Sequence, residues 1–515
     1  MKKNKLLWAD DEIYLLKPHI LFLEDKGFEV ITVCSGQDAI DCCKEQTFDI
    51  IFLDENMPGL SGLEALAIIK ENSPETPVVM ITKSEDEGIM DQAIGSKISD
   101  YLTKPVNPSQ IWLSIKKNLH KNLIITQTTT SGYQQDFIKI SMQINDAKTA
   151  DDWKEVYKKL IYWELELENS QKDMLEMLSM QKNEANHLFC RFVKNNYENW
   201  ISHPETRPLM SPDVFKKQLF PLLESEEKVF FVLIDNFRFD QWRKVKDLLS
   251  DFFTFTEDLY YSILPTATQY ARNAIFSGLM PSDIEKMFPD LWVDEESEEG
   301  KNLNEEPLIR TQIDRFRKKY SFAYHKLNDS VQGEKLLNNF SQLDNNQLNV
   351  IVLNFVDMLS HSRTESKMVR ELAATEAAYR SLTRSWFENS TTLELFRRIS
   401  KKGCRVILTT DHGTIRVSEP IKVTGDKNTN TNLRYKLSKF LNYNPKDVYE
   451  IKDPEKIGLP APNIATKYIF ALKEDFFVYS NNYNHYVQYF TNTFQHGGIS
   501  MEEMLIPIIS MEPKI

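Results

Sequence analysis

Short apolar runs in this chain repeatedly stop on an aspartate: LLWAD ends at Asp10, DIIFLD at Asp54, VFFVLID at Asp235, VIVLNFVD at Asp357 and RVILTTD at Asp411. A brief run that is apolar on both faces suits a parallel strand covered by helices on either side. In an open α/β sheet the carboxyl ends of such strands share one edge, so carboxylates far apart in sequence can converge there. The chain is therefore constrained to α/β architecture with acidic chemistry at the strand ends.

Length sets how many such units there are. A chain of 515 residues exceeds one core, and at about 100 to 200 residues per domain it divides into roughly three. Residues 1–122 alternate the runs LLWAD, EVITV, DIIFLD, PVVMIT and DYLTKP with helix-length segments, which predicts a doubly wound α/β domain. Residues 123–207 repeat apolar side chains at three and four: Trp153, Val156, Tyr157, Leu160 and Ile161, then Leu188, Phe189, Phe192 and Val193. No proline falls between Pro108 and Pro204, and the pattern predicts a bundle of about three helices whose stripes serve core packing. Pro204, Pro208 and Pro212 punctuate a boundary. Residues 208–515 read as a larger α/β domain with strands in KVFFVLID, LYYSILP, LNVIVLNFVD, CRVILTTDH, KYIFAL and EEMLIPIIS, and with a solvated acidic loop at 294–299.

Composition narrows the function classes. No apolar run approaches the roughly 18 residues that span a bilayer. The apolar stretch behind the basic start ends at Asp10 without a cleavage signal, so the expected location is the cytoplasm. Cys34, Cys42, Cys43, Cys190 and Cys404 show no C-x-x-C spacing, which fits a reducing compartment and argues against cysteine-held zinc. A net charge of -13 argues against a duplex-DNA-binding domain, and no basic helix-turn-helix segment is evident. A local groove for a short oligonucleotide stays open. The densest basic run, RFRKKY at 315–320, reads as solvated surface.

An aspartyl phosphate needs a carboxylate at a strand end, a divalent metal to neutralise the incoming group, and a cation that senses it. Asp54 supplies the first, Asp10 and Asp11 can hold Mg²⁺, and Lys104 before Pro105 supplies the last. Thr82 ends the fourth run with a hydroxyl suited to a phosphoryl oxygen, and Tyr101 on the fifth can swing inward when Thr82 moves. With these residues in this order, 1–122 resembles the receiver domain of response regulators. The resemblance implies a flavodoxin-like fold, phosphorylation at Asp54, Mg²⁺ at Asp10 and Asp11, Thr82 and Tyr101 as switch residues, and a sensor histidine kinase as partner. Lys83, where a small residue is common, and Asn56 depart from the pattern and bear on dephosphorylation rate.

In the larger domain His361 follows Asp357 by four residues, His412 follows Asp411 directly, and His496 opens HGG before the last apolar run. Three aspartates and three histidines, Asp235, Asp357, Asp411, His361, His412 and His496, form a ligand set suited to two zinc-like ions. The nucleophile candidates lie in PTATQYARNAIFSGLMP, where a strand stops and a helix begins: Thr266 and Thr268 both meet the positive helix end.

On these motifs the segment from about 213 to 515 resembles a PglZ domain of the alkaline phosphatase superfamily. By analogy with nucleotide phosphodiesterases of that superfamily, with their PT-x-T segment and a glycine matching Gly278, the nucleophile maps to Thr268. The resemblance implies Asp235, Thr268, Asp411 and His412 around one zinc and Asp357, His361 and His496 around the other. One ion would lower the threonine pKa and the other would activate water. The C-x-P-x-R motif of sulfatases is missing, which disfavours sulfate esters. Arg272 and Asn273, about one turn into the helix, read as solvent-facing, with substrate contact as the alternative.

The order of receiver, helical segment and PglZ domain resembles response regulators associated with type IX protein secretion. That implies control of secretion and its genes, zinc in the output domain, phosphodiesterase activity on linear or cyclic oligonucleotides, and dimerisation on phosphorylation. A second reading makes the metal domain catalytically silent, a phosphorylation-controlled platform for a sigma factor or secretion component.

Overall fold

The computed structural model describes residues 4–83, 98–119, 121–168, 170, 172–225, 227–294, 302–426 and 429–514, with backbone alone at 121–130, 363–365 and 367. The chain divides into two compact units, Met1–Gly132 and Tyr133–Ile515. The acidic loop expected at 294–299 falls outside the described residues from 295 onward.

In the first unit, strands β1 (Lys5–Ala9), β2 (Glu29–Val33), β3 (Ile50–Asp54), β4 (Val78–Thr82) and β5 (Asp100–Thr103) form one parallel sheet in the order β2-β1-β3-β4-β5. Alternate residues of β1 and β3 feed two cores. Leu7, Ala9, Ile51 and Leu53 pack on one face, and Leu6, Trp8, Ile50 and Phe52 on the other. This two-sided burial explains why these strands read as unbroken apolar runs. Helix Gly36–Glu45 starts at Ser35, whose side chain accepts from Asp38 N, and helix Gly62–Asn72 starts at a Ser61/Glu64 capping box. The doubly wound expectation for this unit is met.

In the second unit, β6 (Val229–Ile234), β7 (Phe253–Tyr261), β8 (Phe322–Leu327), β9 (Leu348–Leu353), β10 (Arg405–Thr409) and the last strand, Leu505–Pro513, form a six-stranded sheet. Strands β10, β6, β9 and β8 run parallel, and the last strand is antiparallel to both β10 and β7. The carboxyl ends of β6, β7, β9 and β10 therefore share one edge. Two strands stop earlier than their apolar runs suggested: β7 ends at Tyr261 and β9 at Leu353, with a helix beginning at Phe355. Strand β8 was not anticipated, because its half-buried FAYHKL lies at the sheet edge and lacks the apolar signature of a central strand. KYIFAL supplies Lys467–Ala471, the middle of a separate three-stranded sheet.

The helical segment consists of Lys121–Asp146, Ala150–Glu166 and Lys172–Ser202. It does not form a free-standing core. Tyr157 packs on Phe239, and Phe189 and Trp200 pack on Tyr261 of β7, so one apolar cluster runs from Tyr133 to Met511. Apolar stripes at helical spacing report a buried face without saying which partner covers it.

Candidate active site

In the first unit the strand ends deliver three carboxylates to one place. Asp10, Asp11 and Asp54 present oxygens within 4.8 Å of one another, with Asp10 and Asp54 buried and Asp11 exposed. Lys104 Nζ lies 2.8 Å from Asp10 Oδ2 and 2.9 Å from Asp54 Oδ1. Burial, with Asp10 and Asp11 alongside, pushes the Asp54 carboxyl up to about 6 against the pull of Lys104. An all-oxygen set of this kind fits a hard divalent cation such as Mg²⁺. Thr82 is fully buried, and its hydroxyl donates to Glu55, a partner the sequence did not flag. Tyr101 is half-buried against the core on one face of the sheet. Lys83, the departing residue, pairs with Glu12 at 3.0 Å.

In the second unit the shared edge collects two groups of donors. Asp235 follows β6, and Asp411 and His412 follow β10; one ligand atom from each lies within 4.8 Å of the others. Asp357, His361 and His496 form the second group by the same measure. Asp357 is not at a strand end as its apolar run suggested. It sits in the first turn of helix Phe355–Glu365, which places His361 one turn on, with Nε2 3.4 Å from Asp357 Oδ2. His496 Nε2 approaches Asp357 Oδ1 at 3.9 Å, and its ring stacks on that of His412 with centroids 4.1 Å apart.

The tautomers are fixed by the backbone. His412 Nδ1 lies 3.1 Å from the Gly413 carbonyl and His496 Nδ1 3.1 Å from the Thr266 carbonyl. A carbonyl only accepts, so each Nδ1 carries the proton and each Nε2 offers a lone pair, the orientation a metal ligand requires. Burial, with His412 beside it, pushes the His496 imidazole down to about 3 and keeps it neutral. Burial also raises Asp235 well above the carboxylate range, with Asp411 and Asp357 adding to it against Arg272. At Asp411 burial is outweighed by Arg272 and His412, and at Asp357 by His361, His496 and His412; both carboxyls are lowered. Asp235 Oδ1 is buried and has no hydrogen-bond partner among the described residues. Mixed imidazole and carboxylate donors with such an orphaned oxygen fit two zinc-like ions.

Arg272 and Asn273 correct the solvent-facing expectation, since both are buried. Arg272 donates from Nε to Asp411 Oδ2 at 2.8 Å, pairs through Nη2 with Asp235 Oδ2, and pairs through Nη1 with Glu305 at 3.1 Å. By occupying both Oδ2 atoms it leaves the Oδ1 atoms of Asp235 and Asp411 turned toward His412 Nε2, at 3.7 and 4.0 Å. Asn273 is buried with Oδ1 lacking a hydrogen-bond partner among the described residues.

The two threonines separate clearly. Thr266 is fully buried; its hydroxyl donates to Gly498 O and accepts from Gly497 N, both at 3.0 Å. Thr268 opens helix Thr268–Ser277 without capping it, and its hydroxyl lies 3.1 Å from His412 Nε2. Gly278 closes that helix in the left-handed conformation, φ 64°, where a side chain would be strained.

Sequence reasoning missed Asn236 and Glu305. Asn236, at φ 60°, donates from Nδ2 to Asp357 Oδ1 at 3.2 Å and from its backbone to Asp411 Oδ1 at 3.4 Å, bridging the two donor groups. An asparagine directly after a strand-ending aspartate was a readable signal, because asparagine tolerates that conformation. Nothing in the sequence separates Glu305 from its neighbour Glu306.

The receiver-domain family of response regulators matches residues 6–116, the PorX response regulator linker domain matches 123–201, and the BREX system PglZ alkaline phosphatase-like domain matches 214–511. The chain is 28% identical over 153 residues to an uncharacterized transcriptional regulatory protein, YkoG, of Bacillus subtilis strain 168, which covers 29% of the chain and 66% of YkoG. It is 28% identical over 181 residues to the alkaline phosphatase synthesis transcriptional regulatory protein PhoP of the same strain, covering 35% of the chain and 73% of PhoP. The chain thus spans only part of the length of these curated relatives. The chemotaxis protein CheY4 of Vibrio cholerae is 27% identical at a TM-score of 0.22, covering 23% of this chain and 100% of that one. A receiver domain implies a sensor kinase as partner. No described helix is long and apolar enough to cross a membrane. By its PglZ region, which makes up more than half its length, and by the receiver and linker before it, the chain belongs to the PglZ alkaline phosphatase-like family, in the arrangement of the PorX response regulators.

Proposed function

We propose that this response regulator carries a zinc-dependent phosphodiesterase as its output domain, acting on linear or cyclic oligonucleotides, under the control of phosphorylation at Asp54. The observation that carries the reading is one sheet edge bearing two donor groups, Asp235/Asp411/His412 and Asp357/His361/His496, with the Thr268 hydroxyl 3.1 Å from His412 Nε2. When bound, two divalent ions supply charge for the phosphoryl oxygens and lower the pKa of a hydroxyl. The chain's own groups do the rest. Thr268 Oγ1, at a helix N-terminus whose amides and dipole favour an oxyanion, gives its proton to solvent and forms a bond to phosphorus as one ester oxygen leaves with the bonding pair and takes up a proton from water. A water oxygen then bonds to that phosphorus as the Thr268 Oγ1–P bond breaks, and Thr268 regains its proton. Arg272 holds Asp235 and Asp411 in orientation, and Asn236 ties Asp357 to the same edge.

The PorX linker match and the order of the domains support type IX protein secretion as the regulated process, with a sigma factor or secretion component downstream. The test is incubation of the purified full-length protein with zinc and a panel of linear and cyclic oligonucleotides, followed by mass spectrometry. Cleaved phosphodiesters that vanish on chelation support the reading; a zinc-loaded protein that cleaves none of the panel overturns it.

A further inference from the structure

The helix Lys172–Ser202 comes from the linker region, yet three of its buried side chains, Asn186, Cys190 and Tyr197, bond to loops of the output domain, while its buried Gln181 bonds within the linker. Asn186, Cys190 and Tyr197 sit at helical spacing on one face, and all three are buried. Tyr197 Oη accepts from Leu264 N at 2.7 Å, at the start of the loop that runs to Thr268. Cys190 Sγ donates to Ile499 O at 3.1 Å, three residues beyond His496, and accepts from Lys473 N at 3.4 Å. Asn186 accepts from Met501 N at 2.8 Å and donates to Glu502 at 2.9 Å, while Lys182 pairs with Glu502 at 3.3 Å.

The two loops are also joined to each other. Thr266 bonds Gly497 and Gly498 through its hydroxyl and His496 Nδ1 through its carbonyl. They form one assembly, fastened at both ends to a single 31-residue helix. Asp235, Asp411 and His412 differ in this respect, since they leave β6 and β10 directly and rest on the sheet.

We propose that the linker helix is a positioning element of the active site, with Asn186, Cys190 and Tyr197 setting Thr268 and His496 against the sheet-borne ligands. The inference rests on the two-metal reading above and deepens it. A linker that holds the nucleophile and one ligand gives any signal that shifts this helix a direct mechanical hold on catalysis, because a helix whose buried face is packed against and bonded to both loops moves them with it.

The test uses the full-length chain and counts zinc retained through a graded chelator series, with His496→Ala marking the loss of the Asp357/His361/His496 ion. Cys190→Ala and Asn186→Asp are expected to lose that ion at chelator concentrations about 10-fold lower than wild type, the scale on which groups supporting a ligand act. The Asp235/Asp411/His412 ion, whose donors leave the sheet without bonding to this helix, is retained as in wild type. Cys190→Ser, which keeps a donor to Ile499 O, restores the wild-type series. Tyr197→Phe lowers kcat with KM little changed. Unchanged retention in both variants, equal loss of both ions, or failure of Cys190→Ser to restore would each overturn the proposal. A wild-type chain that binds fewer than two ions would instead overturn the two-metal reading itself.

Discussion

Two threonines two residues apart face opposite tasks, and single substitutions should separate them. Thr268→Ala removes the hydroxyl that faces His412 but none of the carboxylates or imidazoles, so hydrolysis should fall by at least about 1,000-fold while zinc content stays at wild type. Thr266→Ala removes a buried hydroxyl that serves two backbone partners, which should cost about 1 to 3 kcal/mol in denaturant unfolding and lower turnover far less than Thr268→Ala does. The reverse pattern would place the nucleophile at Thr266. Arg272 makes a third case. Its planar fork engages both Oδ2 atoms and Glu305 together, which a lysine ammonium cannot reproduce. Arg272→Lys should weaken the ion held by Asp235, Asp411 and His412 by roughly 10- to 100-fold, read by chelator competition. Undiminished affinity would show that the carboxylates need no such support.

At the scale of elements, docking of the linker helix is itself measurable. Burial pushes the Cys190 thiol up to about 12, and its sulfur is enclosed between Ile499 and Lys473, whereas Cys34 is exposed. Near pH 8 a disulfide reagent should modify Cys34 quickly and Cys190 only after unfolding, because the thiolate is the reacting species. Equal rates at the two positions would mean that the helix leaves its seat readily. The sequence showed this helix and its apolar stripe but not what covers it, since Leu188, Phe189 and Phe192 satisfy bundle and sheet packing alike. The strand-end aspartates were legible because a parallel sheet forces them to one edge. Asp357 was misplaced because VIVLNFVD stays apolar across the turn from β9 into the next helix. The burial of Arg272 is not legible in the sequence for a different reason: it is decided by three carboxylates that the fold brings from distant positions.

Control of the output domain by the receiver needs the receiver to change state on phosphorylation. Lys104 now bridges Asp10 and Asp54, and the Thr82 hydroxyl is given to Glu55. A phosphoryl group on Asp54 offers strong acceptors to both residues, contacts that exist only in the activated arrangement. Moving a receiver from mostly inactive to mostly active takes about 3 to 5 kcal/mol, within reach of a few charge-assisted bonds. Tyr101 on the edge strand β5 would then reshape a surface suited to a twofold dimer. Sedimentation of wild type with beryllofluoride should show a dimer at tens of micromolar, and Asp54→Ala should stay monomeric. A wild type that stays monomeric, or an Asp54→Ala variant that dimerises equally, would remove this switch.

In the proposed mechanism Thr268 carries the phosphoryl group during turnover. Its most direct test is rapid acid quench of the zinc-loaded full-length protein during hydrolysis of a labelled oligonucleotide, followed by peptide mapping. Label should appear on Thr268 before product and disappear in Thr268→Ala. Label on Thr266, or steady turnover with no labelled residue at all, would contradict it.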